Sequence, residues 1–268
     1  MNNAPELTSF RYSADFDVKF ANWITKKSAQ TLEKLGYHGK GSKCLKDFLF
    51  DDDGQVIVYP RLRDLCAIDF SDDKPELTTD RSIVPFPALQ RLEMHSSCVF
   101  KDDTLFRGFD GTLTSLDISL HRGFVDIFRK YEVFSQGTHS NVIHVNVALD
   151  NRHGLKLPAG EFAEAAFGLV SPATQSLTIN DFIPYQHIKG VIPTCPHLEN
   201  IQILLLKNTE LTVLEVLDIF KYIPHVTDFG CRFRGIDSEL AAIQDKLIPS
   251  HLGTQYSQLI SRLKCWHA

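Results

Sequence analysis

The chain has 268 residues, 43% hydrophobic and 23% charged, with a net charge of -5 and a pI near 6.1. That length suits one or two compact domains or one continuous repeat array. The acidic balance argues against a nucleic-acid surface, which needs a basic stripe, and against docking on an anionic membrane. No run approaches the roughly 18 apolar residues of a membrane span. The N-terminal residues lack a basic head before an apolar stretch, so no secretory signal is expected.

In chain order the sequence repeats one imperfect pattern ten times: apolar, two free residues, apolar, one free residue, apolar. The copies begin at Leu7, Leu32, Leu62, Leu89, Leu113, Val142, Thr174, Leu198, Val226 and Ile260. Successive starts lie 25, 30, 27, 24, 29, 32, 24, 28 and 34 residues apart, so the period averages about 28. Pro60, Pro87, Pro196 and Pro224 each stand two residues before the start of a copy. Proline cannot continue a helix and favours an extended predecessor, so it marks the change from helix to strand. A period of this length is that of leucine-rich repeats, in which a short strand is followed by a returning helix. The predicted architecture is therefore α/β: a leucine-rich-repeat solenoid, horseshoe-like, with a parallel sheet on the concave face and helices on the convex face. Residues 1–268 are expected to form one domain of about ten irregular repeats. The stretch from 150 to 195 fits the pattern least well, since its copy starts on Thr174.

Helices are predicted between the strands. They fall at Asp17–Lys26 (with apolar Val18, Trp23 and Ile24), in the segment after Asp102, and at Gly123–Phe134. The last of these places Phe124, Ile127, Phe128 and Tyr131 on one face. Further helices are predicted at Gly160–Val170, Leu211–Tyr222 and Ser238–Leu247, with Ser238 as a cap. Asp51-Asp52-Asp53-Gly54 reads as a turn and Ser71–Asp80 as a longer connection.

Six scattered cysteines, Cys44, Cys66, Cys98, Cys195, Cys231 and Cys265, include no C-x-x-C pair. They read as buried thiols of a reducing compartment, cytosol or nucleus. The glycine-rich stretch Gly36–Lys43 approaches a phosphate-binding loop, but Ser42 precedes Lys43. The lysine must come first for its ammonium to reach the phosphates and for the hydroxyl to hold magnesium. A glycine-rich turn after a strand is the simpler reading; a nucleotide-binding enzyme using residues 36–43 remains an alternative. Titration with ATP and magnesium that released no heat would remove it. The triple aspartate lacks the spacing of a calcium loop. With no hydrolase or metalloenzyme signature present, neither catalysis, metal nor cofactor is expected.

Side chains alternate faces along a strand, so the third, fifth and seventh positions of each copy face the concave side. This assigns Arg91, Glu93 and His95 to one strand, Ser115, Asp117 and Ser119 to the next, and His144 and Asn146 to a third. Ser176, Thr178 and Asn180 follow, then Asn200 and Gln202, then Asp228 and Arg232, and finally Arg262, Lys264 and Trp266. His95, Asp117 and His144 lie obliquely across three strands spaced about 4.8 Å apart, which suits a polar binding face better than a metal site. The binding residues expected from this mapping are Arg91, Glu93, His95, Asp117, His144, Asn146, Asn180, Asn200, Gln202, Asp228 and Arg232.

The P-x-L-x-x-L-x-[IML] repeats, and Phe86–Leu120 (FPALQRLEMHSSCVFKDDTLFRGFDGTLTSLDISL) in particular, resemble the repeat region of fungal F-box leucine-rich-repeat proteins. The resemblance implies a non-enzymatic solenoid that holds a substrate protein for a cullin-based ubiquitin ligase. In that family an F-box contacts a Skp1-type adaptor. Here a repeat begins already at Leu7, so the F-box would have to be supplied upstream. The expected partner is a protein on the concave face, and a stand-alone interaction scaffold is the alternative. Neither nucleic acid nor membrane is expected as a partner.

Overall fold

The computed structural model describes residues 6–13, 18–43, 46–71, 82–95, 111–131, 141–149, 157–180, 185–203, 215, 218 and 228–231. Nine strands form one sheet: β1 (Ser9–Ser13), β2 (Lys34–Lys43), β3 (Asp64–Ser71), β4 (Arg91–His95), β5 (Ser115–Leu120), β6 (His144–Leu149), β7 (Ser176–Asn180), β8 (Asn200–Ile203) and β9 (Asp228–Cys231). Every neighbouring pair is parallel and the spatial order follows the chain. Each strand begins at the third position of its sequence copy. The fourth positions pair from one strand to the next, as in Leu35, Leu65, Leu92, Leu116, Val145, Leu177, Ile201 and Phe229. The tenth copy, from Ile260, lies outside the described residues.

Along β4 and β7 the apolar fourth and sixth positions are buried, while the third and fifth are exposed or half-buried. Helices cover the apolar side: α1 (Val18–Lys27), the short α2 (Lys46–Leu49), α3 (Arg122–Tyr131), α4 (Ala159–Gly168) and α5 (Tyr185–Val191). Ala21, Phe124, Phe162, Ala163, Ala166 and Ile188 pack with the strand residues in one continuous core. The predicted helices at 17–26, 123–134 and 160–170 thus form with small shifts at their ends. Those after Asp102 and at Ser238–Leu247 lie outside the described residues. Of Leu211–Tyr222 only Glu215 and Asp218 are described, both helical.

Tight turns set the register of the strands. Leu62 N–H donates to Tyr59 O, Leu89 to Phe86 O and Leu198 to Cys195 O, so Pro60, Pro87 and Pro196 each occupy the second position of a turn. Proline's fixed φ suits that place. Thr174 N–H closes the same turn on Ser171 O around Pro172. Thr174 is fully buried, and its hydroxyl donates to Val142 O at 3.0 Å while accepting from Ser171 N–H. A polar residue fills an apolar position because its hydrogen bonds are met. After each turn, one second-position carbonyl accepts two successive N–H groups of the next copy. Gln90 O, for example, takes Thr114 and Ser115.

Two local expectations change. Gly36–Lys43 is not a turn but part of β2, paired to β3 through His38 and again at Ser42 and Lys43 across an irregularity. Through His38 a strand pairs on either side, which outweighs the poor strand preference of glycine at Gly36. The stretch therefore does not form the strand-to-helix loop that a phosphate cradle requires. On α1, Ile24 is buried, but Trp23 and Phe20 are 43% and 44% exposed, with ring centroids 5.8 Å apart. Ala21, Asn22 and Thr25 are buried on this helix instead, and Asn22 Oδ1 accepts the buried Tyr37 hydroxyl. Where Tyr12, Tyr37, Phe48, Tyr59 and Phe86 pack as a run of aromatic rings, only small or hydrogen-bonding helix residues fit.

The Asp51–Gly54 turn is as predicted. Asp51 Oδ1 accepts from Asp53 and Gln55 N–H, and Gly54 takes φ of 79°, the left-handed region open to glycine. Cys66 and Cys195 are buried and form no disulfide. Tyr59 is fully buried and its hydroxyl donates to Phe48 O at 2.6 Å. Tyr59→Phe leaves that carbonyl unmet, and a loss of about 1–3 kcal/mol is expected in urea unfolding. An unchanged midpoint would show that the bond contributes nothing.

Candidate binding surface

The side of the sheet away from the helices carries the third, fifth and seventh positions. Those positions hold Arg91, Glu93, His95, Asp117, His144, Asn146 and Asn180, as the alternation required. In Cα register Asn200 pairs with Ser176 and Asp228, and Gln202 pairs with Thr178. Arg232, Arg262, Lys264 and Trp266 lie outside the described residues.

Parallel pairing converts a shared position number into contact. Glu93 and Asp117 are Cα partners, as are Asp117 and Asn146, and Asn146 and Thr178. Asn180 Nδ2 donates to Asn146 Oδ1 at 3.1 Å, and Asn146 Nδ2 donates to Asp117 Oδ2 at 2.9 Å. On the other side His95 Nε2 lies 3.2 Å from Asp117 Oδ1 and 3.8 Å from Glu93 Oε1. The approach to Asp117 Oδ1 is close but lacks the alignment of a full hydrogen bond. Arg91 reaches Glu93 Oε2 at 3.4 Å. A polar chain therefore runs unbroken from β4 to β7.

Its polarity follows from what each group can donate. A carboxylate only accepts, so in the neutral ring the proton belongs on Nε2, facing Asp117. Nδ1 then accepts the hydroxyl proton of Ser119, whose Oγ is 2.7 Å away. Burial alone pushes the Asp117 carboxyl up. The close approach of His95, the hydrogen bond from Asn146 and the charges of His95 and Arg91 outweigh it and hold the group below the ordinary carboxylate range.

Of His95, Asp117 and His144, which lie across three neighbouring strands, the first two converge. His95 and Asp117 meet because β4 and β5 are adjacent and His95 leans back along its strand. His144 occupies the third position of β6, beside Ser115 and Ser176, at the other end of the strand from the His95 row. Among the described residues no group of three or more His, Cys, Asp and Glu is arranged to hold a metal ion. Hydroxyl, imidazole and carboxylate do line up as Ser119, His95 and Asp117, the order that activates a nucleophilic serine. Ser119 is only 7% exposed, and its hydroxyl lies 2.7 Å from the ring.

At the fifth position the sequence reading missed Arg11 on β1 and Cys66 on β3, and at the third position Lys34 on β2 and Asp64 on β3. The fifth-position pair lies in line with Glu93, and the positional rule finds all four once it is applied to the first three copies. No protein-family model matches the chain, and the curated proteins contain no match to it. Among the described residues no helix is long and apolar enough to cross a membrane.

Proposed function

We propose that the chain is a leucine-rich-repeat solenoid that recognises a protein on its polar sheet face. On this reading it is the substrate-binding part of an F-box-type ubiquitin-ligase receptor, acting in the cytoplasm or nucleus without catalysis of its own. The observation that carries the proposal is the polar chain from Arg91 to Asn180 on the sheet face opposite the described helices. Strands in chain order at a period of about 28 residues support the solenoid. Side chains already held by one another lose little freedom when a partner arrives, which favours binding.

Affinity capture from a cell extract tests it, comparing the natural chain with Glu93→Lys/Asp117→Lys. A partner retained by the first and lost by the second is expected; equal retention would remove this face from the binding surface. Recovery of a Skp1-type adaptor and a cullin with the partner supports the ligase role. Recovery of the partner alone supports a stand-alone scaffold.

A further inference from the structure

The starts of β3 and β4 carry three arginines within two adjacent copies of the repeat. Arg61 precedes the first position of its copy, Arg63 takes the second, and Arg91 takes the third position of the next copy. The same three places before β5, β6 and β7 hold no lysine, arginine, aspartate or glutamate. In a chain of net charge -5 the rim of the sheet thus has a local cationic ridge at one place.

Arg61 and Arg63 are exposed, and Leu62 between them is fully buried. The backbone beneath them is fixed. Leu62 N–H closes the turn on Tyr59 O, Tyr59 N–H donates to Pro85 O at 2.8 Å, and Arg63 N–H donates to Glu33 O at 2.8 Å. Arg63 O accepts Arg91 N–H at 2.8 Å, which brings the start of β4 alongside. Residues two apart span about 7 Å at most, so the first two arginines are close neighbours. Among the described residues neither Arg61 nor Arg63 forms an ion pair or a side-chain hydrogen bond. Glu33, across from Arg63, and Asp64, next to it in sequence, pair with neither. Arg91 meets Glu93 at 3.4 Å and keeps 54% of its side chain exposed. Like charges this close repel, and neither Arg61 nor Arg63 offsets that through a polar contact within the fold.

We infer that this ridge seats a short acidic stretch of the partner polypeptide, with carboxylates on Arg61 and Arg63 and further attraction from Arg91. The inference rests on the reading of the sheet face as a recognition surface, which the ridge adjoins at Arg91. Charge complementarity selects the occupant. Arginine's planar fork matches a carboxylate in two parallel hydrogen bonds, which gives direction as well as attraction. Alternate residues of an extended segment are also about 7 Å apart, so two acidic residues separated by one match the spacing of the two arginines. Glu33 and Asp64 on either side keep the complementary stretch short.

Fluorescence anisotropy tests this with two labelled Gly-Ser peptides, one carrying Glu-Ser-Glu and the other Gln-Ser-Gln, at low and physiological salt. The glutamate peptide should bind at least about tenfold more tightly, with the margin shrinking as salt screens the charges. Arg61→Gln/Arg63→Gln should abolish that margin, and Arg91→Gln should reduce it roughly threefold. Arg63→Gln alone should remove most of it. Lys27→Gln, the same loss of charge on the exposed side of α1, should leave it intact. Arg61→Glu/Arg63→Glu should instead prefer a peptide carrying Lys-Ser-Lys. Melting midpoints of these variants should match that of the natural chain, and a drop on replacing the arginines would give them a structural role in place of this one. Equal binding of both peptides, no binding of either, or an equal loss in Lys27→Gln would likewise overturn the acidic-stretch inference. The recognition reading stands or falls separately, on whether a captured partner depends on Glu93 and Asp117.

Discussion

Truncating Leu92 to alanine is expected to lower stability by about 2–5 kcal/mol, the range for a buried leucine whose cavity cannot collapse. Leu92 is fully buried at the fourth position of β4, with Leu65 and Leu116 as its Cα partners. Described strands 24–32 residues apart in sequence meet at this row, and β4 pairs only with β3 and β5, so a void here weakens both junctions at once. Against a total of roughly 5–15 kcal/mol for an ordinary domain the loss is large. Chemical denaturation followed by circular dichroism should show it as a lower midpoint. Ser115→Ala, one strand away on the opposite face, should stay within about 0.5 kcal/mol of the natural chain. If the two substitutions cost the same, Leu92 is not in a packed core and the assignment of faces is wrong.

The second large effect is at Asp117. Its two oxygens face Asn146 and His95, and removing the charge with Asp117→Asn turns one carboxylate oxygen into a donor that confronts another donor. Hydrogen bonds to a charged group are worth about 1.5–3 kcal/mol, and partial exposure keeps the expected cost near the lower end, about 1–2 kcal/mol at neutral pH. The pH dependence has a definite sign. The folded carboxyl lies below its ordinary value, so its contribution is complete above the unfolded value of about 4 and is lost as pH falls through the lower folded value. The natural chain and Asp117→Asn should therefore differ at pH 7 and converge in strong acid. A gap of constant size from pH 7 to pH 2 would mean that the carboxylate charge plays no part. The same substitution should weaken partner capture, since Asn146 and Asn180 are held in line through Asp117.

Much of this surface was legible before any coordinates. The alternation of faces is a local property with a period of two residues, so the third and fifth positions of β4 to β7 could be assigned from the spacing of Leu89, Leu113, Val142 and Thr174. Even Thr174 kept its register, through a turn that Pro172 announces at the same offset as the other prolines. What could not be read was the meeting of side chains. The gap between His95 and Asp117 depends on the lean of two side chains on different strands, and alternation says nothing about lean. The outward turn of Trp23 was equally hidden, because it depends on aromatic rings from β1, β2 and the α2 segment that fill the space beneath α1.

The sequence by itself determined the strand positions, the buried rows and the list of residues on the open face, because each follows from spacing along one short segment. Only the tertiary structure decided which of those residues act together. It joined Asn180, Asn146, Asp117, His95 and Ser119 into one chain and laid the Arg11 stem against Gly36 on the second strand. The physical reason is that such contacts arise between residues more than twenty positions apart. Inter-strand register, side-chain reach and the room left by a single glycine set them, and no local periodicity encodes those three together.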